Sequence, residues 1–372
     1  MSVAIDSQRL LATFLDLVQI DSPSGHEAAV AAYCRGALTA AGCVVEIDDS
    51  AAITGSDTGN LIAELGGDGA EKVFFSAHMD TVSPGEGIKP VVEQGVIRAS
   101  GDTILGADDK VGIAAIIEMV RVLQESQLSH PTIGILLSVG EEKNLLGANA
   151  MDASGFCGQP CFVLDSENQP GEVVVGAPFH SSFKATFTGK AAHAGVCPEK
   201  GVSAIAIAAA AISAMQLGRL DEVTTANIGT ISGGSADNVV ADSCIVTGEF
   251  RSLHEQRLNE TGAAISTAIQ TAVAGTGASV DVVWEESYPG FLLDEGHPIV
   301  QLALKAAKRI GLPAQVAVTG GGSDTNVFSK KGLQAVTLGT GMKGIHGLGE
   351  SMAIADLETL TRLILQIALD YR

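Results

Sequence analysis

The chain has 372 residues, of which 46% are hydrophobic and 17% are charged. This length exceeds the size at which one hydrophobic core keeps growing, so we expect two folded domains, and the composition excludes an intrinsically disordered chain. The formal net charge of -21 excludes nucleic acids and acidic membrane surfaces as partners, because both are bound through clustered lysine and arginine side chains.

The amino-terminal segment, residues 1–20, predicts an amphipathic helix. It lacks the basic start and apolar block of a secretory leader. The sequence has no apolar stretch long enough for a transmembrane helix, and its six cysteines lack the paired spacing of a disulfide framework. We therefore expect a soluble, cytoplasmic protein that makes no membrane contact.

From the start to about residue 165, strand patterns alternate with helix patterns, which is typical of an α/β sheet. A helix is predicted at residues 26–41, introduced by Ser24 and Glu27 at the spacing of a capping box. Buried strands are predicted at residues 73–77 and 133–139, and a second helix at residues 110–124. Polar residues follow each strand at once, at the sheet edge where α/β proteins build their sites.

The pattern changes near residues 176–178. Strands are predicted at residues 182–188, 223–231, 243–250 and 279–284, and helices at residues 202–217 and 255–273. The order strand-helix-strand-strand-helix-strand is that of a ferredoxin-like unit. The α/β pattern then resumes, with a helix at residues 298–310, a strand at 334–338 and a closing helix at 355–371. We therefore predict a core domain of residues 1–177 and 291–372, interrupted by an inserted α+β domain of residues 178–290.

The first candidate site residues are His78 and Asp80, at the end of a predicted strand. Side chains two residues apart on an extended segment point the same way, so the Asp80 carboxylate could accept a hydrogen bond from the His78 ring. That bond would leave the other ring nitrogen free for a metal. The alternative is a strand end with a solvated aspartate.

Two further pairs of carboxylates follow. Asp108 and Asp109 precede a predicted helix, where an aspartate is also a frequent cap; we select Asp108 as a bridging metal ligand and regard Asp109 as structural. Glu141 and Glu142 follow an apolar run, and one is assigned to a metal and the other to a water molecule. A solvated acidic loop is the alternative. Asp165 also ends an apolar run.

The remaining candidates lie in glycine-rich or inserted segments. His193 is flanked by small residues that permit close approach, His346 lies in a flexible glycine-rich stretch, and Arg251 could bind a substrate carboxylate through its guanidinium group. An exposed loop histidine and an ordinary surface arginine are the alternatives. Residues 320–326 lack the Gly-Lys-Ser/Thr ending of a phosphate-binding loop, which excludes a nucleotide site.

Along almost its whole length the chain resembles the co-catalytic zinc metallopeptidases, a family that includes peptidase T, carboxypeptidase G, aminoacylase and succinyl-diaminopimelate desuccinylase. The peptidase T-like members are the most similar. The motifs that carry this resemblance are Ser76-Ala77-His78-Met79-Asp80-Thr81-Val82, Leu105-Gly106-Ala107-Asp108-Asp109-Lys110 and Gly347-Leu348-Gly349-Glu350.

The resemblance implies a zinc-exopeptidase-like αβα core with an inserted ferredoxin-like lid and dimerisation domain. It implies two Zn²⁺ per subunit, with Co²⁺ or Mn²⁺ as other possible native metals. One zinc would be held by His78 and Asp165 and the other by Glu142 and His346, with Asp108 bridging both. The resemblance also implies a cis peptide bond between Asp108 and Asp109.

The same resemblance assigns roles to residues that bind no metal. Glu141 is expected to be the general base, Asp80 to orient His78, and His193 to stabilise the oxyanion, in many members from a partner subunit of a homodimer. Asn238 and Arg251 match positions that contact the substrate.

We therefore predict a two-zinc hydrolase of short peptides, of the peptidase T-like exopeptidase or tripeptide aminopeptidase type. The alternatives are an aminoacylase or carboxypeptidase of the same fold, or a metal-binding relative that has lost catalysis. A merely structural zinc site would not need Glu141, which argues against that last alternative.

Overall fold

The computed structural model describes residues 4–371, which form two compact units. Unit 1 contains the chain up to Gly176, Leu293–Thr319 and the chain from Ser323 onward; unit 2 contains Ala177–Leu292 and Gly320–Gly322. Both main junctions lie within two residues of the predicted limits of the insert. The short segment Gly320–Gly322 is the difference, since it was predicted within the second part of the core. The catalytic, lid and dimerisation roles of the two units stay predictions.

Helices and strands are numbered in chain order. The helices are α1 (Ser7–Val18), α2 (Ala28–Ala40), α3 (Ala51–Thr54), α4 (Ala107–Ser126), α5 (Leu146–Ala150), α6 (Ala204–Ala214), α7 (Glu255–Val273), α8 (Pro298–Arg309), α9 (Asp324–Lys330) and α10 (Ile354–Asp370). Each is too short or too polar to act as a transmembrane segment within the described part of the chain.

The strands of the first half are β1 (Val44–Ile47), β2 (Leu61–Leu65), β3 (Lys72–His78), β4 (Pro90–Glu93), β5 (Val96–Ala99), β6 (Thr132–Ser138), β7 (Pro160–Val163) and β8 (Glu172–Ala177). The strands of the second half are β9 (Phe179–Thr188), β10 (Gly218–Arg219), β11 (Thr224–Gly233), β12 (Ser243–Ser252), β13 (Ser279–Tyr288), β14 (Phe291–Leu292), β15 (Gln315–Val318), β16 (Gln334–Leu338) and β17 (Ser351–Ala353).

The main sheet of unit 1 has the strand order β1-β2-β6-β3-β7-β16-β8, with β15 beside β8. Its centre is parallel, because β3 runs parallel to both β6 and β7, and β7 runs parallel to β16. Val73, Phe74 and Phe75 in β3 are all almost fully buried. Successive residues of a strand point to opposite faces, so both faces of this sheet are covered, as in an αβα layer arrangement.

Helix α4 lies at the centre of unit 1, where it packs against β3, α1 and α10. Its isoleucines Ile113, Ile116 and Ile117 are fully buried, as their helical spacing predicts. The backbone at Asp108 and Asp109 departs from helical geometry, and their peptide bond is cis. The start of α4 therefore presents two carboxylates from a segment that is not regular helix.

Unit 2 is an antiparallel sheet with two helices. Its long strands have the order β11-β12-β9-β13, all neighbours being antiparallel, and α6 and α7 both pack on β9 and β12. The alternating residues Phe183, Ala185 and Phe187 of β9 are buried in its core. The predicted fold class, an α/β core with an inserted ferredoxin-like α+β unit, is confirmed.

The amino-terminal helix is found as predicted, but the predicted capping box is not. The amphipathic segment gives α1, which buries Leu10, Phe14 and Leu17, whereas residues 1–3 lie outside the described residues. The capping box predicted for α2 is wrong: the helix begins at Ala28, and the preceding residue Glu27 makes no side-chain capping bond. Ser24 instead donates its hydroxyl hydrogen bond to Asp80, 56 residues further along the chain.

Candidate active site

Three parallel strands of unit 1 end at one edge of the sheet and carry most of the predicted metal ligands. β3 ends at His78, which pairs with Ser138 at the end of β6. β7 lies on the other side of β3 and ends two residues before Asp165. Because the carboxyl ends of parallel neighbours meet at the same edge, residues that are far apart in sequence converge there.

Two groups of three side chains share Asp108. His78, Asp108 and Asp165 form the first group, and Asp108, Glu142 and His346 form the second; within each, the potential ligand atoms lie within 4.8 Å of one another. The Nε2 atom of His78 lies 3.1 Å from Asp108 Oδ1, and that of His346 lies 3.3 Å from Asp108 Oδ2. Each carboxylate oxygen of Asp108 thus faces a different histidine, as a ligand bridging two cations requires.

A third group overlaps the other two and consists of His78, Glu141 and Glu142. Glu141 is buried, whereas Glu142 is half-buried and lies 2.8 Å from His346 Nε2. Distance alone therefore permits either glutamate to bind a cation. The division of the pair into a base and a ligand belongs to the proposed function.

The His78 ring contacts Asp80 by a different route from the one predicted. The Nδ1 atom of His78 lies 2.9 Å from the main-chain oxygen of Asp80, and 3.4 Å from its carboxylate. Since a carbonyl oxygen only accepts hydrogen bonds, Nδ1 carries a proton and Nε2 is the nitrogen available to a cation. The Asp80 carboxylate instead accepts hydrogen bonds from the main-chain N–H groups of Glu141 at 2.9 Å and Glu142 at 3.2 Å.

The loop before α4 is held by Glu350. Its Oε2 accepts hydrogen bonds from the N–H groups of Leu105 at 2.8 Å and Gly106 at 2.7 Å, and its Oε1 accepts one from Asp108 at 3.1 Å. Glu350 is almost fully buried. These three bonds fix the backbone from which the shared carboxylate of Asp108 projects.

The site concentrates negative charge among buried and half-buried side chains. Burial raises the pKa of Glu141 well above its usual range, and the nearby Asp165 raises it further. Burial and the charge of Asp108 do the same to the pKa of Asp165. A bound divalent cation would relieve this repulsion, and the donor set of imidazole nitrogens and carboxylate oxygens suits zinc. The residues present therefore fit a metal centre.

The two histidines respond to the same charge. Burial opposes protonation of His78, but the nearby carboxylates of Asp108 and Asp80 raise its pKa well above the usual value. Hydrogen bonds with Asp108 and Glu142 raise the pKa of His346 to about 10. Burial likewise opposes ionisation of Asp108, but its bonds with the two histidines lower its pKa. The two histidines thus favour the charged form of the Asp108 carboxylate.

The other predicted site residues lie in unit 2. His193 is exposed, and its Nδ1 accepts a hydrogen bond from the N–H of Gly195 at 3.2 Å. Asn238 is adjacent, because its main-chain oxygen accepts a bond from the N–H of Ala194 at 2.9 Å. These contacts place His193 and Asn238 side by side on one surface of unit 2.

Arg251 is half-buried and already engaged within unit 2. Its Nε donates to Glu249 at 2.8 Å, and one terminal nitrogen donates to the main-chain oxygen of Gly320 at 2.8 Å and to the hydroxyl of Tyr288 at 3.3 Å. The bond to Gly320 joins the segment Gly320–Gly322 to the rest of unit 2. A substrate carboxylate at Arg251 would compete with Glu249.

Comparison with known proteins identifies the family. Residues 74–370 match the model of peptidase family M20/M25/M40. The chain belongs to this family. It is a metallopeptidase, and its ligand-rich sheet edge lies within the matched segment.

Three proteins are similar to this peptidase over almost its whole length. The uncharacterized protein YqjE of Bacillus subtilis (strain 168) is 43% identical over 364 residues, covering 98% of each chain. The crystal structure of aminopeptidase PepT from Bacillus cereus ATCC 10987 has a TM-score of 0.94 and 41% identity, covering 99% of each chain. That of a tripeptidase from Staphylococcus aureus subsp. aureus Mu50 has a TM-score of 0.95 and 39% identity, covering 98% of each chain.

Sequence reasoning missed one buried acid of the peptidase, Asp324, at the start of α9. Its Oδ2 accepts a short hydrogen bond from the hydroxyl of Ser138, at the end of β6, while Oδ1 has no hydrogen-bond partner among residues 4–371. Burial raises the pKa of Asp324 to about 6. The only sequence signal is an aspartate directly after Ser323, a pattern that is also typical of the start of a helix.

This buried acid gives a pH-dependent prediction for Asp324→Asn. The pKa of Asp324 is higher in the folded than in the unfolded chain, so folding takes up a proton and stability falls as pH rises between about 4 and 6. Above that window the ionised side chain costs up to about 3 kcal/mol, a cost that asparagine avoids. Thermal melts of the chelator-treated peptidase should show the variant more stable at pH 7.5, with the difference vanishing toward pH 4. A difference independent of pH would contradict this account.

Proposed function

We propose that this metallopeptidase is a two-zinc exopeptidase of the peptidase T type, which cleaves short peptides, tripeptides with a free amino terminus above all. The observation that carries the proposal is the pair of ligand groups that share Asp108. The aminopeptidase and the tripeptidase described above support the peptidase T type.

In this proposal His78 and Asp165 would hold one zinc, Glu142 and His346 would hold the other, and Asp108 would be a ligand shared by both. Two zinc ions, when bound, would polarise the scissile carbonyl and lower the pKa of a water molecule. Cobalt or manganese could replace zinc, since both accept nitrogen and oxygen ligands. Asp80 keeps the His78 ring in the required tautomer through its main-chain oxygen.

Glu141 would act as the general base. It would accept a proton from the attacking water and then deliver that proton to the nitrogen of the leaving amine. Burial and the neighbouring Asp165 raise its pKa, which suits a carboxyl group that must first accept and then donate a proton. Its N–H bond to Asp80 fixes the backbone that carries this side chain.

We propose substrate-directed roles for the predicted residues of unit 2 as well. The Nδ1 atom of His193 accepts a hydrogen bond, so the neutral ring carries its proton on Nε2 and could donate it to an oxyanion. Asn238 and Arg251 would contact the substrate. We further propose a cytoplasmic homodimer, whose oligomeric state light scattering on the purified protein would test.

A substrate panel separates this function from its alternatives. The metal-loaded peptidase should hydrolyse unblocked tripeptides and leave amino-blocked tripeptides and N-acyl amino acids intact, because the peptidase T type acts at a free amino terminus. The measurement is product release by mass spectrometry, with metal content determined on the same samples. Cleavage confined to blocked substrates with a free carboxylate would favour the aminoacylase or carboxypeptidase alternative. Absence of cleavage by fully metal-loaded protein would favour the non-catalytic relative.

A further inference from the structure

The loop between α1 and α2, residues 20–27, is bound to the segments that carry the active site. The main-chain oxygen of Ser22 accepts a hydrogen bond from the N–H of Thr81 at 2.9 Å. The main-chain oxygen of Ser24 accepts one from the Lys143 ammonium group at 2.7 Å. Thr81 directly follows Asp80, and Lys143 directly follows Glu142. We call residues 20–27 the amino-terminal loop.

The side chain of Ser24 contacts Asp80. Its hydroxyl donates a hydrogen bond of 2.6 Å to Asp80 Oδ2. The same carboxylate accepts the N–H bonds of Glu141 and Glu142, so it receives three donors in all from these residues. Asp80 is almost fully buried, so its carboxylate oxygens depend on these donors in place of water. The Ser24 hydroxyl is thus one of the three groups that hold this carboxylate in place.

Glu27 binds the backbone of Gly140, the residue directly before Glu141. It is fully buried, and its Oε1 accepts hydrogen bonds from the N–H of Gly25 at 2.8 Å and from that of Gly140 at 3.0 Å. Its Oε2 accepts a short hydrogen bond from the Ser56 hydroxyl. A buried carboxylate is tolerated only when its oxygens have such donors. One of these three donors is the N–H group of Gly140, which directly precedes Glu141 and lies 113 residues from Glu27 in sequence.

Helix capping does not account for these two side chains. Neither Ser24 nor Glu27 caps α2 with its side chain. The first N–H of that helix, at Ala28, donates instead to Asp57 Oδ1 at 2.8 Å. The partner of this N–H group thus comes from another loop, while Ser24 and Glu27 are directed at Asp80 and Gly140.

We propose that Ser24 and Glu27 are positioning residues for peptide hydrolysis, which act through Asp80 and through the backbone of Glu141. Ser24 fixes the Asp80 carboxylate from one side while the backbone of the two glutamates binds it from the other. Glu27 fixes the Gly140 N–H group directly before Glu141. The proposal rests on the roles assigned above to Asp80 and Glu141.

The test compares kcat and KM for an unblocked tripeptide across matched variants at saturating zinc. Ser24→Ala should lower kcat by about 10- to 100-fold, the range typical of residues that support a site from behind, with KM changed less than about threefold. Ser24→Thr, which keeps the hydroxyl, should restore kcat to within about threefold. Glu27→Ala should lower kcat similarly, whereas Glu27→Gln keeps an acceptor for Gly140 and should retain most of it.

Thr361→Val is the control for loss of a buried hydroxyl group. Thr361 Oγ1 donates a 2.9 Å hydrogen bond to the main-chain oxygen of Leu357 within α10. This variant should lower the melting temperature but leave kcat unchanged, which separates positioning from general destabilisation. Ser24→Ala should destabilise the fold less than a change at the fully buried Glu27. The test therefore remains decisive if Glu27→Ala fails to fold.

Retention of kcat within twofold by folded Ser24→Ala would overturn the proposal, as would equal kcat losses in Ser24→Ala and Ser24→Thr. Glu141→Gln is measured in the same assay. If Glu141→Gln stays active, the proposed function fails; if it is inactive while Ser24→Ala is fully active, only the positioning proposal fails.

Discussion

Glu141→Gln should lower kcat by a factor of about 10³, within the range of 10² to 10⁴ that a positioned general base contributes, while both metals stay bound. Glutamine has nearly the same shape as glutamate but cannot take a proton from water. The fold should survive, because burial and nearby carboxylates already favour the uncharged form of Glu141. The measurements are steady-state kinetics with an unblocked tripeptide and metal content by mass spectrometry.

Glu142→Gln is the matched comparison, since it changes the neighbouring residue in the same way. It should lose one metal, because Glu142 belongs to the group with Asp108 and His346. Loss of a metal from Glu141→Gln instead would assign Glu141 to the ligand group with His78 and Glu142, and the proposed division of the pair would be wrong.

Asp108→Asn should abolish binding of both metals at micromolar zinc and reduce kcat/KM well beyond the about 10- to 100-fold loss typical of residues that only support a ligand. Its two carboxylate oxygens face different histidines, and an amide offers only one oxygen. Metal content after dialysis and the rise in melting temperature on adding zinc measure the effect, since a ligand that binds only the folded state stabilises it.

Asp109→Asn provides the control at the adjacent position. Asp109 is buried, and its carboxyl group accepts hydrogen bonds of 3.2 Å from the N–H groups of His78 and Gly112. Burial raises its pKa well above the usual range, so a neutral amide replaces a group that favours its neutral form. The variant should keep both metals and lose about 1 kcal/mol of stability with one hydrogen bond. Equal loss of metal in the two variants would contradict the assignment of Asp108 as the shared ligand.

The position of the site could be predicted from the sequence because it follows from strand ends. β16 spans the predicted residues 334–338, and β3 and β6 differ from their predicted limits by one residue at each end. Once parallel neighbours are assigned, His78 and Asp165 must share an edge. The contacts of unit 2 residues were predicted less well. Arg251 forms a hydrogen bond with Glu249. The alternation of residues along a strand places both side chains on one face of the sheet, but it does not show that they bind each other.

The sequence did not reveal contacts with distant segments made by residues whose spacing suggests a local contact. Ser24 and Glu27 have capping-box spacing, but the hydroxyl of Ser24 binds Asp80 and the carboxylate of Glu27 binds Gly140. The sequence pattern of a capping box is the same whether or not its residues cap the helix, because the alternative partners, Asp80 and Gly140, lie far away in the chain. The His78 ring likewise binds the main-chain oxygen of Asp80, a group that every residue carries and no motif reveals.

The strand order of unit 2 also bears on how such a chain can arise. Its first long strand, β9, pairs with its last, β13, and His180 near the start of β9 lies opposite Tyr288 at the end of β13. The two ends of the insert are therefore neighbours within its own sheet. A domain whose ends meet can be spliced into a surface loop of another domain without rerouting the host chain. Apart from Gly320–Gly322, unit 2 is one continuous segment whose ends meet, so a single insertion in the gene is enough to add it.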